Sequence, residues 1–319
     1  MAPVSVVLAA GKSTRMKSAL PKVLHEVCGR PMIEYVLDAA REAGVARHVV
    51  IVGYGAQKVK DSLAGSPGVE FTLQAEQKGT GHAVMMCRDN LRDHDGPVLV
   101  LTGDAPLMRP QSLRALLDEF SAQQATCVIG TAETEFNQGL GRIVRSPTGG
   151  FLKIVEQKDA TPAELAIREI NVGCYVFDCR SLFEALAEIK PDNRQKEYYL
   201  TDCAAILNAK GKRVVASKKL DIIEALGVNT RAELAKVHGA LQQRCLDRLM
   251  AEGVTIVDPA QVSIDLRACI GADTVIYPFT TITGPAIVGA DCRIGPHAAV
   301  GPRAVLLDGT IVGPFESVG

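Results

Sequence analysis

Val4-Ser5-Val6-Val7-Leu8-Ala9-Ala10-Gly11-Lys12-Ser13-Thr14-Arg15-Met16 decides the reading of this 319-residue chain. Residues 4–10 form an apolar run of strand length. A small-residue, basic loop follows at once, and Pro21-Lys22 comes a few residues later. A strand opening into such a loop is a phosphate cradle. Glycine lets backbone N–H groups approach phosphate oxygens, and arginine and lysine compensate the charge. Two cations this near one strand end suggest a triphosphate or pyrophosphate ligand. The spacing is neither Gly-x4-Gly-Lys-Ser/Thr nor Gly-x-Gly-x-x-Gly, so it is neither a Walker loop nor a dinucleotide fingerprint. The plain alternative is an ordinary strand-to-helix turn carrying surface cations.

Outward from this loop, residues 1–228 alternate short apolar runs with amphipathic stretches. Strands are expected at 4–9, 48–52, 69–74, 98–101, 126–131, 170–177 and 213–216. Helices are expected at 32–44, 81–88, 110–123, 180–189 and 200–210. This alternation implies an α/β domain, a mainly parallel sheet with helices on both faces. Ligands of such sheets sit beyond the carboxyl ends of the strands, so the loops after Ala9, Gln74 and Leu101 should converge on one crevice. Residues 229–252 read as one long helix connecting domains. Thr230 and Glu233 have capping-box spacing, and Leu234, Val237, Leu241, Cys245, Leu246 and Leu249 make its apolar stripe.

Residues 253–319 change period to six. Ile264, Ile270, Ile276, Ile282, Val288, Ile294, Val300, Leu306, Val312 and Val318 fall on it without a miss, with glycine following at 271, 289, 295, 301, 313 and 319. This is the hexapeptide repeat of a β-helix, each coil burying its aliphatic corner under the next. A meander of short strands has no reason to keep a strict period of six. Three hexads make one turn, so the segment supplies only about three coils, and it stops at Gly319 in mid-pattern.

Formal net charge is −1, which argues for neither a nucleic-acid nor a membrane surface. No apolar stretch reaches membrane-span length, and no charged-then-apolar leader opens the chain. Nine cysteines, none in a Cys-x-x-Cys pair, read as reduced thiols in a cytoplasm. The six histidines show no metal-ligand spacing, and the absence of tryptophan disfavours a stacking platform for single strands.

Two further segments carry chemistry. Leu101-Thr102-Gly103-Asp104-Ala105-Pro106 places an acid at the mouth of a strand. A carboxylate there suits Mg²⁺, which takes one or two carboxylates together with substrate phosphates, although an Asp that caps the turn before Pro106 is the simpler reading of this segment alone. Gln74-Ala75-Glu76-Gln77-Lys78-Gly79-Thr80-Gly81-His82-Ala83 follows another strand. A side-chain amide offers a donor and an acceptor together and suits a uracil edge, with backbone bonds from Gly79 and Thr80. The alternative is a helix start with Thr80 as its cap.

These motifs resemble a known family. The first loop and Pro-Lys are similar to the sugar-nucleotide pyrophosphorylase signature. L-A-A-G-K-S-T-R-M, L-P-K-V-L-H, Q-A-E-Q-K-G-T-G-H-A, G-D-A-P-L, G-L-G-R-I, I-V-E-Q-K-D-A, E-I-N-V-G, E-Y-Y-L-T-D and G-V-N-T-R occur in order. In that order they resemble the bacterial bifunctional N-acetylglucosamine-1-phosphate uridylyltransferase/glucosamine-1-phosphate acetyltransferase family. The resemblance covers its uridylyltransferase half and the start of its acetyltransferase β-helix. It implies a Rossmann-like nucleotidyltransferase mixed sheet, a linker helix and a short left-handed parallel β-helix. It also implies nucleotide contacts from Leu8, Ala9, Ala10, Gly11, Gln74, Gly79, Thr80, Thr102 and Gly103, and reacting-phosphate contacts from Arg15 and Lys22. Sugar contacts would come from Gly141, Glu156 and Asn171, and Mg²⁺ ligation from Asp104 and Asn229. Each position has its own reason: Gly141 permits close backbone approach, Glu156 and Asn171 are polar groups beside apolar strand residues, and Asn229 sits where a helix cap would.

Three departures stand out. Ser13 replaces a glycine of the signature, and Thr102 stands where the enterobacterial pattern has tyrosine. After Pro314-Phe315 the family's Arg-Leu-Arg-Pro-Gly is replaced by Glu316-Ser317. The residues that bind acetyl-CoA and glucosamine 1-phosphate in the family have no counterpart, so uridylyl but not acetyl transfer is expected. The expected substrates are UTP and N-acetylglucosamine 1-phosphate, the products UDP-N-acetylglucosamine and pyrophosphate, and the expected assembly a cytoplasmic homotrimer through the β-helix. The rivals are a pyrophosphorylase for glucose 1-phosphate with dTTP or UTP, and a non-catalytic assembly subunit.

Overall fold

The computed structural model describes residues 1–12 and 14–319; Ser13 lies outside the described residues. Contacts divide the chain into two compact units, Met1–His25 with Met32–Thr230, and Glu26–Pro31 with Arg231–Gly319. No helix among the described residues is long and apolar enough to cross a membrane.

The first unit is built on strands β1 (Val4–Ala9), β2 (Arg47–Val52), β3 (Val69–Leu73), β4 (Pro97–Thr102), β5 (Cys127–Glu133), β6 (Arg142–Arg145), β7 (Phe151–Val155), β8 (Glu169–Asp178) and β9 (Val214–Ser217). They form one sheet of order β9-β5-β8-β4-β1-β2-β3, with β6 pairing β8 and β7. β1, β2, β3 and β4 run parallel, as do β5 and β9. β8 runs antiparallel to both β4 and β5, which makes the sheet mixed.

Helices α1 (Met32–Glu42), α2 (Ala56–Ser62), α3 (Thr80–Met85), α4 (Pro110–Ala122), α5 (Pro162–Leu165), α6 (Cys179–Leu186) and α7 (Thr201–Ala209) connect the strands. A strand covered on both faces reads as a near-continuous apolar run, and β1 does. Val7 and Ala9 enter one core with Val36 and Leu37 of α1 and Leu113 of α4. Val4 and Val6 enter the other with Val84 of α3, Leu182 of α6 and Ala204 of α7. Ser5 is the polar exception; its Oγ lies 2.7 Å from Nδ1 of the paired His48. Burial pushes the His48 imidazole down to about 4, so it is a neutral core residue at physiological pH.

The register positions the site. Leu8 pairs with Thr102, Ala9 with Val52, and Val52 with Leu73. β1, β2, β3 and β4 therefore end level, and the loops that follow them share one edge of the sheet.

In the second unit, α8 (Arg231–Ala251) buries Val237, Leu241, Cys245, Leu246 and Leu249. Gln242 is buried among them because both ends of its amide are used: Nε2 donates to the Ile264 carbonyl and Oε1 accepts from the Ile264 N–H at 3.0 Å. Two-residue strands then stack as three parallel sheets. One runs Cys269, Ile287, Val305, and another Ser263, Thr281, Ala299, Ser317. The inward residues from Ile264 to Val312 are all buried, while Val318 in the last rung is 36% exposed.

Candidate active site

The ends of β1, β3 and β4 open onto a cavity of about 360 Å³. Leu8, Ala9, Ala10, Gly11, Lys22, Gln74, Gly79, Thr80, Thr102 and Asp104 all line it. Three stretches far apart in sequence are thus brought to one place by the level strand ends.

Lys22 opens a short 3-10 turn, Lys22–Leu24. Its ammonium forms an ion pair with Oδ2 of Asp104 and donates to Oδ1 of Asn229 at 3.1 Å. Asp104 sits just past β4, held there by a bond from the Val228 N–H to its own carbonyl at 3.0 Å. Asn229 lies two residues before α8 begins at Arg231, so its side chain faces Lys22 from outside the cap position. One cation is therefore held between a carboxylate oxygen and an amide oxygen at the cavity mouth. Two hard oxygen donors, one anionic, converging on a positive charge fit a hard divalent cation that completes its shell with phosphate oxygens. No set of three or more His, Cys, Asp or Glu side chains among the described residues gathers as a metal cage.

Gln74, which also lines the cavity, is buried with its amide Nε2 3.2 Å from the Gly79 carbonyl and 3.0 Å from Nδ1 of His82. Gly79 has φ +108°, and a Cβ there would lie 2.6 Å from the Tyr198 carbonyl oxygen, so this turn requires glycine. Gly79, not Thr80, precedes α3 at the cap position, and the Thr80 hydroxyl instead accepts from the Leu200 N–H at 3.1 Å.

Gly141, Glu156 and Asn171 form a second cluster. The Asn171 N–H donates to the Gly141 carbonyl at 2.9 Å. A Cβ at Gly141 would meet Ile154 Cγ2 at 3.2 Å, Asn171 Cβ at 3.5 Å and Glu156 Oε1 at 3.6 Å, so glycine lets these side chains close up. Asn171 Nδ2 donates to the Tyr175 hydroxyl at 2.6 Å and its Oδ1 accepts from the Gly173 N–H at 3.1 Å. Thr201 Oγ1 approaches Glu156 Oε1 at 3.4 Å. Burial, and then the charges of Asp202 and Asp159, raise the Glu156 carboxyl above its ordinary value, while Thr201 and Arg142 oppose the rise. The segment from Tyr198 to Thr201 joins this cluster to the cavity, since Leu200 bonds Thr80 and Thr201 bonds Glu156.

Two expected residues stand apart. Gly103 donates its N–H to the Leu8 carbonyl at 3.0 Å, tying the end of β4 to β1, and is not among the residues that line the cavity. Arg15 is exposed on the Thr14–Met16 turn, and its guanidinium pairs with no described residue. Conversely, Lys12, Val23, Gln77, Ala83 and Glu197 line the cavity without having been singled out. Gln77 Nε2 donates to the Ala10 carbonyl at 2.7 Å and ties the two loops together. Its place three residues after Gln74, in the same polar loop, was the available signal.

A family model described as a MobA-like NTP transferase domain matches residues 5–250. One for the bacterial transferase hexapeptide, six repeats, matches residues 270–302. The chain is 45% identical over 326 residues to the bifunctional protein GlmU of Exiguobacterium sp., covering 98% of this chain and 72% of that protein. It is 43% identical to the bifunctional protein GlmU of Shouchella clausii over 329 residues, with the same coverages. Against that of Brevibacillus brevis it is 47% identical over 294 residues, covering 92% of this chain and 63% of the relative. Among solved structures, UDP-glucose pyrophosphorylase complexed with UDP-glucose aligns with a TM-score of 0.62 at 20% identity, over 76% of this chain and all of that one, which speaks to the fold. With that extent and identity, the chain belongs to the GlmU family of transferases, a nucleotidyltransferase domain followed by hexapeptide repeats.

Proposed function

We propose that this chain transfers the uridylyl group of UTP to N-acetylglucosamine 1-phosphate, giving UDP-N-acetylglucosamine and pyrophosphate. The observation that carries the reading is the Lys22 ammonium held between Asp104 and Asn229 in a cavity that Gln74 also lines. In this reading the base lies against Gln74, Gly79 and Thr80, and the phosphates lie along Ala10, Gly11, Lys12 and Lys22. Thr102 lines the floor between them. Gly141, Glu156 and Asn171 hold the sugar hydroxyls and amide. A sugar-phosphate oxygen attacks the α-phosphorus in line, and the bond to pyrophosphate breaks with its electrons leaving on the pyrophosphate oxygen. Lys22 and Arg15 supply positive charge to the transition state and the leaving group, so positioning and electrostatics dominate. Asp104 and Asn229 are the residues that would hold Mg²⁺, which when bound offsets phosphate charge. The cytoplasm is the proposed location and a homotrimer through the β-helix the proposed assembly. The outward Ile287 and Val305, 56% and 63% exposed on one sheet face, support association.

A pyrophosphate-release panel tests the chemistry. UTP with N-acetylglucosamine 1-phosphate should turn over at least about tenfold faster than dTTP or glucose 1-phosphate combinations, a difference of ~1.4 kcal/mol. Faster turnover with glucose 1-phosphate or dTTP would instead assign the chain another sugar nucleotide.

Glu156 gives a separable test. Its carboxyl titrates higher folded than unfolded, so ionising it works against folding. That penalty is absent below the unfolded-state value, grows as pH rises to the folded value, and is full above it. Glu156→Gln should therefore raise the melting temperature at neutral pH, with the gain vanishing in acid. KM for the sugar phosphate should rise about tenfold, the difference between a charged and a neutral acceptor. A melting temperature that falls at neutral pH, or an unchanged sugar-phosphate KM, contradicts this role.

A further inference from the structure

The amide of Gln74 has two N–H donors and one carbonyl acceptor. Its Nε2 lies 3.2 Å from the Gly79 carbonyl oxygen and 3.0 Å from Nδ1 of His82. A carbonyl oxygen only accepts, so the amide end facing Gly79 must be the NH₂ group. Both donors are then directed at protein acceptors, and Nδ1 of His82 must carry its lone pair, with the ring proton on Nε2. Oε1 is the group left over. It takes no hydrogen bond from any described residue, and Gln74 lines the cavity while being only 4% exposed. Sequence alone offered an amide with either end free; the folded loop leaves only an acceptor.

We infer that His82, as its Nε2–H tautomer, is a positioning residue that locks the Gln74 amide so the site presents a lone carbonyl acceptor to the nucleobase and admits bases with a ring N–H while rejecting cytosine. The inference rests on the nucleotide reading of the cavity given above. Uracil carries a hydrogen on N3 and gives it to such an acceptor. Cytosine presents a lone pair at N3, and two acceptors facing each other in a buried site lose a hydrogen bond on both sides. Turning the amide over to suit cytosine would oppose Oε1 to the Gly79 carbonyl, and would keep the bond to His82 only if the ring proton moved from Nε2 to Nδ1. Residue 82 can be so used because α3 begins at Thr80 and places His82 in its first turn, above the Gln74 side chain.

Equilibrium binding of UTP and CTP by titration calorimetry, without sugar phosphate, reads this directly. The wild-type protein should bind UTP about tenfold or more tightly than CTP. His82→Leu removes one of the two acceptors that hold the amide and should narrow the gap at least threefold, chiefly by loosening UTP. His82→Asn keeps an oxygen acceptor near the Nδ1 position and should preserve the gap. In parallel, ¹⁵N NMR of labelled wild-type protein, with the His82 signals assigned by their loss in His82→Asn, should show the Nε2–H tautomer at neutral pH. An unchanged gap in a folded His82→Leu, equal binding of UTP and CTP by the wild type, or an Nδ1–H tautomer overturns the inference; the last needs no variant with leucine to fold. Failure to bind either nucleotide would overturn the uridylyl-transfer reading, and the NMR measurement would still decide the orientation of the amide.

Discussion

Lys22→Ala is expected to lower kcat by about 10²–10³, the cost of removing one preorganised charge donor from where charge develops. The ammonium is not a loose surface cation: its side chain is 18% exposed, and it pairs with Asp104 and Asn229. It partners a carboxylate and an amide oxygen, and the proposed mechanism assigns the same ammonium to the leaving pyrophosphate. The residue should therefore act mainly on the transition state, and KM for UTP should change far less than kcat. Lys22→Arg should recover little, because a planar fork does not replace a compact ammonium between two oxygen atoms. If KM alone rises with kcat unchanged, Lys22 is a uniform binder instead.

Asp104→Ala should cut turnover by at least about 10² and raise the Mg²⁺ concentration needed for half-maximal rate, since a metal clamp on phosphates supplies several kcal/mol of charge stabilisation. The backbone bond from Val228 to the residue 104 carbonyl does not depend on the side chain, so the local fold and the melting temperature should be retained. Asn229→Ala removes a neutral oxygen donor and should act in the same direction with a smaller effect on turnover. Near-normal rates for both variants at saturating Mg²⁺ would exclude this pair as the metal ligands.

Much of this architecture was legible because periodicity reports burial. Val4–Ala9 reads as a central strand since both faces are covered, and the hexads from Ile264 to Val312 are read correctly because each inward position must be aliphatic. Strand direction is not a periodic property. The run at 170–177 is plainly apolar, yet nothing in it says that β8 lies antiparallel between β4 and β5. β6 and β7 were not visible, being short, with a buried Arg142 in one and an exposed Lys153 in the other interrupting any apolar pattern. The hairpin Glu26–Val27 and Arg30–Pro31 is shorter still and groups with the second unit.

The site divides the same way. Its loops were legible from glycine and charge placed after strands. The convergence of Lys22 with Asn229, 207 residues away, has no local trace and was reached only through family resemblance. The orientation of the Gln74 amide depends on the left-handed turn at Gly79 and on a helical neighbour, and so belongs to the fold rather than to the residue.

The most direct measurement follows the α-phosphorus. The purified protein is incubated with [α-³²P]UTP, N-acetylglucosamine 1-phosphate and Mg²⁺, and the products are separated and identified by mass. The expected result is that the label moves into UDP-N-acetylglucosamine in step with release of unlabelled pyrophosphate, and that both stop when the sugar phosphate is left out. Label remaining in UTP, or appearing as UMP without sugar nucleotide, would contradict it.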